Sequence, residues 1–546
     1  MKVHDFVAIG LGPFNLGLAC LTDPLRESDG LSGVFLEARD RFDWHPGMLL
    51  DDATLQVPFL ADLVTMADPT SRWSFLNYLK QQGNLYPFYI RESFYPLRRE
   101  YDDYCRWAAE RLGTIRFGQR VVTVEHDGSA YRTLTSTGET WLSKRLVVGI
   151  GTSPRIPAPL TALVEEAAHP LVEEAAHPLV EEVPGPLVEE VAQRPSRDPA
   201  PVPPLVEEVA GPLVEEVAQQ PSRDPAAVPP LVEEVAGPLV EEVAQRPSRD
   251  QAAVPPLVEE VAGPLVEEVA QRPSRDPATV THSADYLAHK AALQQQRTIT
   301  IVGSGQSAAE VYHDLLAEAP DHGYELVWLT RSPRFFPMEY TKLTLEMTSP
   351  EYAGYHRALP VETRDRLARE QRHLFKGISG DLVDAIFDLH YQQRVTGAGP
   401  RTTLLTNTEV RGARRVAGGH ELDLLHVETG ESFGLTTEGL VLATGYAPTT
   451  PDFLDGLRDR IRFDERGRYD VAGDYSVDVA GGEVFVQNAE EHTHSVLAPD
   501  LGMGAYRNSV IIAAMLGREV YPVEKRIAVQ TFGVPDHLRR SPVGAR

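Results

Sequence analysis

Two short glycine-rich stretches carry the clearest chemistry in the sequence. The first, Gly10-Leu-Gly12-Pro13-Phe14-Asn15-Leu16-Gly17, follows the apolar run at 6–9. Glycine at Gly10 permits a tight turn, and Gly12 lets backbone approach a pyrophosphate at the N-terminus of the following helix. Asn15 stands where a third glycine is usual. The next apolar run, Gly33-Val-Phe-Leu, ends on Glu37, an acid suited to a ribose diol. The second stretch, Gly303-Ser304-Gly305-Gln306-Ser307, follows the β-branched run at 298–302 and also lacks a third glycine. The strand after it closes on Thr330-Arg331. A cation there suits a 2′-phosphate and favours NADPH over NADH; its alternative is an ordinary surface charge.

These turns need elements to hold them, and the pattern supplies strand, glycine turn, helix and strand twice over, the signature of two mononucleotide-binding folds. Two further strands end alike, Leu146-Val-Val-Gly-Ile-Gly151-Thr152 and Glu438-Gly-Leu-Val-Leu-Ala443-Thr444-Gly445-Tyr446. Both are expected to re-enter a flavin domain, so the chain is expected to bind a flavin and a nicotinamide cofactor. The fold class is α/β, with two Rossmann-like dinucleotide-binding domains, a small helical substrate region and a long repetitive, unfolded insertion. The expected boundaries are 1–159 for the first part of the FAD-binding domain and 160–280 for the insertion. The NADPH-binding domain with the substrate-site helices follows at 281–400, the FAD-domain return and C-terminal helix at 401–525, and a tail at 526–546.

Composition narrows the class. The 546 residues hold 52 Lys and Arg against 79 Asp and Glu, for a net charge of −27. This acidity argues against a protein that grips nucleic-acid phosphates. Only Cys20 and Cys105 are present, too few for a disulfide framework, a CxxC pair or a zinc cluster. No run approaches the roughly 18 apolar residues of a membrane span, and a cytoplasmic protein is expected. The charge is uneven. Residues 160–280 contain Leu-Val-Glu-Glu ten times, with a longer unit repeating every 26 residues, and carry −17 of the total. That stretch holds 21 of the 43 prolines and no aromatic residue. Proline breaks each box within a turn or two of helix, and leucine and valine alone bury too little to offset chain entropy. The segment is therefore expected to be extended or transiently helical rather than a folded solenoid. It is either a repeat expansion tolerated in a surface loop or a spacer that docks pathway partners.

Several motifs together resemble the flavin-dependent N-hydroxylating monooxygenases, the lysine N6- and ornithine N5-monooxygenases of hydroxamate siderophore synthesis. They are Gly10-Leu-Gly-Pro-Phe-Asn-Leu16, Phe42-Asp-Trp-His45, Leu55-Gln56-Val-Pro-Phe-Leu60, Asp68-Pro-Thr-Ser71, Gly303-Ser-Gly-Gln-Ser307 and Ala443-Thr-Gly-Tyr446. The tail His492-Thr-His494 … Leu501-Gly-Met-Gly-Ala-Tyr-Arg-Asn508 completes the set. Within the family the lysine/diamine branch is favoured by Tyr340-Thr-Lys-Leu-Thr-Leu-Glu346 and Gly377-Ile-Ser-Gly-Asp-Leu382. The resemblance implies FAD held by Gly10, Gly12, Pro13, Asn15, Glu37, Trp44, His45, Gln56, Pro499, Asp500 and Leu501. It implies NADPH held by Ser304, Gly305, Gln306, Ser307 and Arg331. Gln56, Glu346, Ser379 and Asp381 are the candidate substrate residues. Ornithine hydroxylases of the family carry a lysine, which anchors the substrate carboxylate, where this sequence has Ala61. Its loss fits lysine held in another way, or a diamine such as cadaverine or putrescine.

The implied reaction is hydroxylation of a terminal primary amine by O₂ through a hydroperoxyflavin, with NADPH as reductant. The attacking amine must be neutral although its free pKa is near 10.4, so the site must desolvate or deprotonate it and the rate should rise with pH. No general base is identified; His45 and His494 are candidates that could equally hydrogen-bond the cofactor. No metal is implied, and a homo-oligomer is expected. The alternatives are a flavin monooxygenase of another substrate class and a non-catalytic scaffold of siderophore assembly.

Overall fold

The computed structural model describes residues 2–168 and 279–539. Nine of the ten Leu-Val-Glu-Glu boxes, the expectation that the insertion is unfolded, and the end of the tail lie outside the described residues. No helix among the described residues is long and apolar enough to cross a membrane.

Two parallel five-stranded sheets organise the chain, and they are built to one plan. In the first, the strand order is Val484–Val486, Leu146–Val148, Phe6–Ile9, Gly33–Leu36 and Ile115–Arg116. In the second it is Thr279–His282, Gly439–Leu442, Thr298–Val302, Glu325–Leu329 and Thr402–Leu405. Each glycine turn leaves the central strand of its sheet. Each unit also has an antiparallel meander threaded in before the strand beside the centre, at 121–143 in the first unit, where Val3–His4 joins in parallel as a fourth strand, and at 408–437 in the second. The central strands are unbroken apolar or β-branched runs because both of their faces are covered. Phe6–Ile9 is buried throughout, as are Ile299 to Val302.

Two boundaries differ from the sequence expectation. Strands Thr402–Leu405 and Gly439–Leu442 belong to the second sheet, so the return to the first sheet comes at Val484–Val486 and not at 401. The strand before Ala443-Thr-Gly-Tyr446 is thus the second-sheet counterpart of Leu146–Val148 and not a flavin-domain strand. Tyr446–Ala447 does touch the first unit, pairing antiparallel with Ser153–Pro154 where the chain passes between the sheets. The first Leu-Val-Glu-Glu box also falls within the folded part. Thr161–Ala168 is helical, and Leu160 and Leu163 pack with Val302, Leu329 and Leu440. A single leucine per box suffices there because a sheet already stands ready to cover it.

Helix Pro13–Thr22 is buried along nearly its whole length. It packs against the helices Arg98–Arg111 and Gly504–Leu516 in the core that also holds Cys20 and Cys105. Burial pushes both thiols up, which fits packing and not redox work. The second sheet packs on helix Gln306–His322, which is backed by Gly380–Thr396.

Candidate active site

Both glycine turns are geometrically obligatory. Gly10 has φ +85°, and a Cβ there would stand 2.6 Å from the carbonyl oxygen of Gly149, at the end of the neighbouring strand. Gly303 has φ +146°, and its Cβ would stand 2.2 Å from the carbonyl oxygen of Ala443, the matching position of the other sheet. Only glycine fits either position. Gly12 and Gly305 then cap the two helices in extended conformation. A Cβ on Gly12 meets nothing within 4 Å, so open space stands before that helix N-terminus.

The turns open onto one continuous cavity of about 1820 Å³. Gly10, Gly12, Pro13, Glu37, Trp44, His45 and Gln56 line it from the first unit, together with Pro499, Asp500 and Leu501 from the chain's return. Ser304, Gly305, Gln306, Ser307 and Arg331 line it from the second. A space of this size holds more than one drug-sized molecule. The polar groups fit two dinucleotides. Glu37 is fixed at its strand end by accepting the backbone N–H of Leu11 (2.7 Å) and of Arg39 (2.9 Å). Arg331 is 69% exposed in its side chain and only 3.9 Å from Glu409, a loose pair that leaves its guanidinium open to a phosphate. The Gln56 side-chain nitrogen is buried without a protein partner, a donor with no acceptor of its own.

Five expected site residues stand elsewhere. Asn15 lies beneath the turn and does not face the cavity. Its amide donates to the carbonyls of Ile9 (3.2 Å) and Gly10 (2.7 Å) and accepts from Gln487 (2.7 Å). Asparagine replaces the third glycine because its side chain locks the turn from behind. Glu346 accepts the backbone N–H groups of Val529 (2.8 Å) and Gln530 (2.9 Å), which lowers its pKa and ties down the segment after the last helix. Ser379 gives its backbone N–H to the Gln306 side chain (2.8 Å), and Asp381 sits exposed on the first turn of Gly380–Thr396. His494 is buried away from the cavity, stacked on Tyr475 and bonded to the Thr493 hydroxyl (2.9 Å). Burial, then the nearby Arg507, pushes its pKa down to about 3. His45 does face the cavity, edge-on to Trp44 and Tyr446. Burial, then the charges of Arg98 and Arg39, holds it down to about 4, so it is neutral at physiological pH and a poor base for an amine.

Sequence pattern alone singles out neither Arg98 nor the role of Tyr340. Arg98 makes a bidentate pair with Glu310 (2.6 and 2.9 Å) and donates to the Met48 carbonyl (2.7 Å), joining the helix after the second turn to the first unit. Gln306 extends this link by donating to Glu310 (3.0 Å). An arginine at the start of a charged helix carries no motif that would mark it. Tyr340 donates its hydroxyl to the Gln56 carbonyl (2.9 Å), fixing the wall opposite the second turn.

The sequence matches the family model described as L-lysine 6-monooxygenase/L-ornithine 5-monooxygenase over residues 2–176 and 263–448. It is 37% identical over 537 residues to a putrescine N-hydroxylase of Shewanella oneidensis, covering 97% of this chain and 84% of the relative. It is likewise 37% identical over 543 residues to an alcaligin biosynthesis enzyme of Bordetella pertussis, covering 98% and 92%. Among solved structures it resembles the FAD-bound cadaverine monooxygenase of desferrioxamine biosynthesis from Erwinia amylovora. That likeness has a TM-score of 0.75 and 40% identity, over 98% of this chain and 99% of the other.

Proposed function

We propose that this chain, which belongs to the L-lysine 6-monooxygenase/L-ornithine 5-monooxygenase family, hydroxylates one amine of a short diamine of the cadaverine or putrescine type. The chain is an NADPH-dependent flavin N-monooxygenase with FAD and NADPH as cofactors. The observation that carries the diamine reading is Ala61, an uncharged side chain where the resemblance places a carboxylate-binding lysine. Two relatives support it by name, a putrescine N-hydroxylase at 37% identity and a cadaverine monooxygenase at 40%.

In this reading Gly10, Gly12 and Glu37 hold the pyrophosphate and ribose of FAD, with Trp44, His45 and Gln56 along the wall leading to the flavin ring. Ser304 to Ser307 cradle NADPH, and Arg331 takes its 2′-phosphate. Bound FAD, once reduced by NADPH, supplies the oxygen chemistry. The protein's own part is positional and electrostatic. The Gln56 amide offers a preorganised donor. His45 packs edge-on between Trp44 and Tyr446 in the wall they share. His45 being a poor base, the reacting amine loses its proton through desolvation, and the rate rises with pH toward the amine's own range near 10.4. A homo-oligomeric assembly is also proposed.

The test compares NADPH oxidation with hydroxylamine formation by the FAD-loaded protein for cadaverine, putrescine, lysine and ornithine. Coupled turnover of the diamines, with the two amino acids at least tenfold poorer in kcat/KM, is the expected result. Preference for lysine or ornithine overturns the diamine reading. Hydrogen peroxide as the sole product with all four amines overturns the substrate class.

A further inference from the structure

A carboxylate stands in the cavity wall with no ion-pair partner among the described residues. Asp500 lies at the turn into the final helix, half-buried, and lines the cavity with Gln56, Tyr340 and Leu501. Gly502 lies beside both this carboxylate and Ala61. A Cβ built on Gly502 would stand 3.0 Å from the Asp500 Oδ1 and 3.6 Å from the Ala61 Cβ. Asp500 and Ala61 therefore flank one glycine, and that glycine leaves room between them.

The surroundings of this carboxylate point to a cationic ligand. Burial pushes the Asp500 carboxyl up, opposed by the backbone N–H groups of Gly502 and Met503 and by the charge of Arg507, whose guanidinium pairs with Glu490 at 3.0 Å. Burial, together with the negative charge of Asp500, pushes the Tyr340 hydroxyl up to about 12, which places the two side chains on the same patch of wall. Tyr340 in turn holds the Gln56 backbone, whose side-chain nitrogen is buried and unpartnered beside the same cavity. A partly buried carboxylate without a partner is costly, and a charged ligand offsets that cost. An ammonium does so; a carboxylate in the same place would repel.

We propose that Asp500 is a specificity-determining residue that receives the far ammonium of the diamine while the near amine is hydroxylated. This rests on the proposed diamine reading and deepens it. A substrate bearing a carboxylate at its far end meets like charge, and a monoamine leaves Asp500 unpaired.

The experiment compares cadaverine with n-pentylamine, which differ only in the far ammonium, on the FAD-loaded wild type, Asp500→Asn and Asp500→Glu. Wild type should favour cadaverine by at least tenfold in kcat/KM. Asp500→Asn should bring the ratio near one, chiefly by raising the KM for cadaverine and not that for n-pentylamine. Asp500→Glu should restore part of the preference, which a merely structural role would not do. If wild type does not distinguish the two amines, or if Asp500→Asn keeps the full preference with FAD bound, the inference is wrong and the diamine reading can stand. If wild type hydroxylates no diamine, the reading falls and the inference with it. Should Asp500→Asn fail to hold FAD, the wild-type ratio and the Asp500→Glu variant still decide the matter.

Discussion

The two nucleotide-binding units share a plan yet differ at the points where a ligand is told apart. Each central strand ends in a glycine whose Cβ would strike a carbonyl of the neighbouring strand, Gly149 in one unit and Ala443 in the other. Each following helix begins on an extended glycine, Gly12 or Gly305. The differences lie at the next positions. The first unit has Asn15 bonded beneath its turn and an acid, Glu37, pinned at the strand end. The second has Ala308 in the equivalent place and an exposed cation, Arg331. In the proposed reading each unit cradles a pyrophosphate, and the strand-end charge meets a ribose diol in one and a 2′-phosphate in the other.

That comparison can be broken at several points. The largest effect is expected from Gly10→Ala, which puts a side chain against Gly149 at a positive φ. Strain and displacement of roughly 3 kcal/mol or more should leave the purified protein colourless, as its absorbance near the flavin bands would show. Next is Arg98→Ala, which strands Glu310 between the two units. Losing one partner of a buried bidentate pair costs roughly 3 kcal/mol, read as a lower denaturation midpoint, and Arg98→Ala with Glu310→Ala should lose less than the sum of the single changes. Arg331→Ala should cut the preference for NADPH over NADH by roughly tenfold, the worth of one charge-assisted phosphate contact, without touching FAD content.

A further effect is read against pH and lies away from both cradles. His494 is neutral in the fold, with a pKa near 3 against an unfolded value of 6.5. Between those values the unfolded chain binds more protons, so the contribution of His494 is complete above about pH 6.5 and is lost as pH falls toward 3. His494→Asn should flatten the acid limb of the stability profile by about 1.4 kcal/mol per pH unit relative to wild type.

The parts of the molecule written in local pattern are legible in the sequence. Strand, glycine turn and helix follow from neighbours along the chain, so both cradles and their strand-end charges can be placed from the residues alone. What escapes depends on pairing at long range. The strand ending in Ala443-Thr-Gly-Tyr446 looks like Leu146–Val148 because it plays the same part, but which sheet it joins is decided by register with Ile299 to Val302 and not by its own residues. Charge alone draws Glu346 and Asp381 toward the substrate, whereas Glu346 is occupied by the backbone of Val529 and Gln530 and Asp381 faces outward. Arg98 carries no motif because its meaning lies in Glu310, more than two hundred residues later. Asn15 is visible as a departure from the fingerprint, yet its role as a lock requires Gln487, contributed by the far end of the chain.

The most direct test of two cradles serving one cavity is anaerobic reduction of the bound flavin in Gly303→Ala. A side chain there must displace Ala443, at the end of a strand of the second sheet. The account predicts a yellow protein with a full complement of FAD that dithionite bleaches at once and NADPH bleaches at least a hundredfold more slowly than in wild type. Bleaching by NADPH at the wild-type rate, or loss of FAD with the second turn altered, would contradict it.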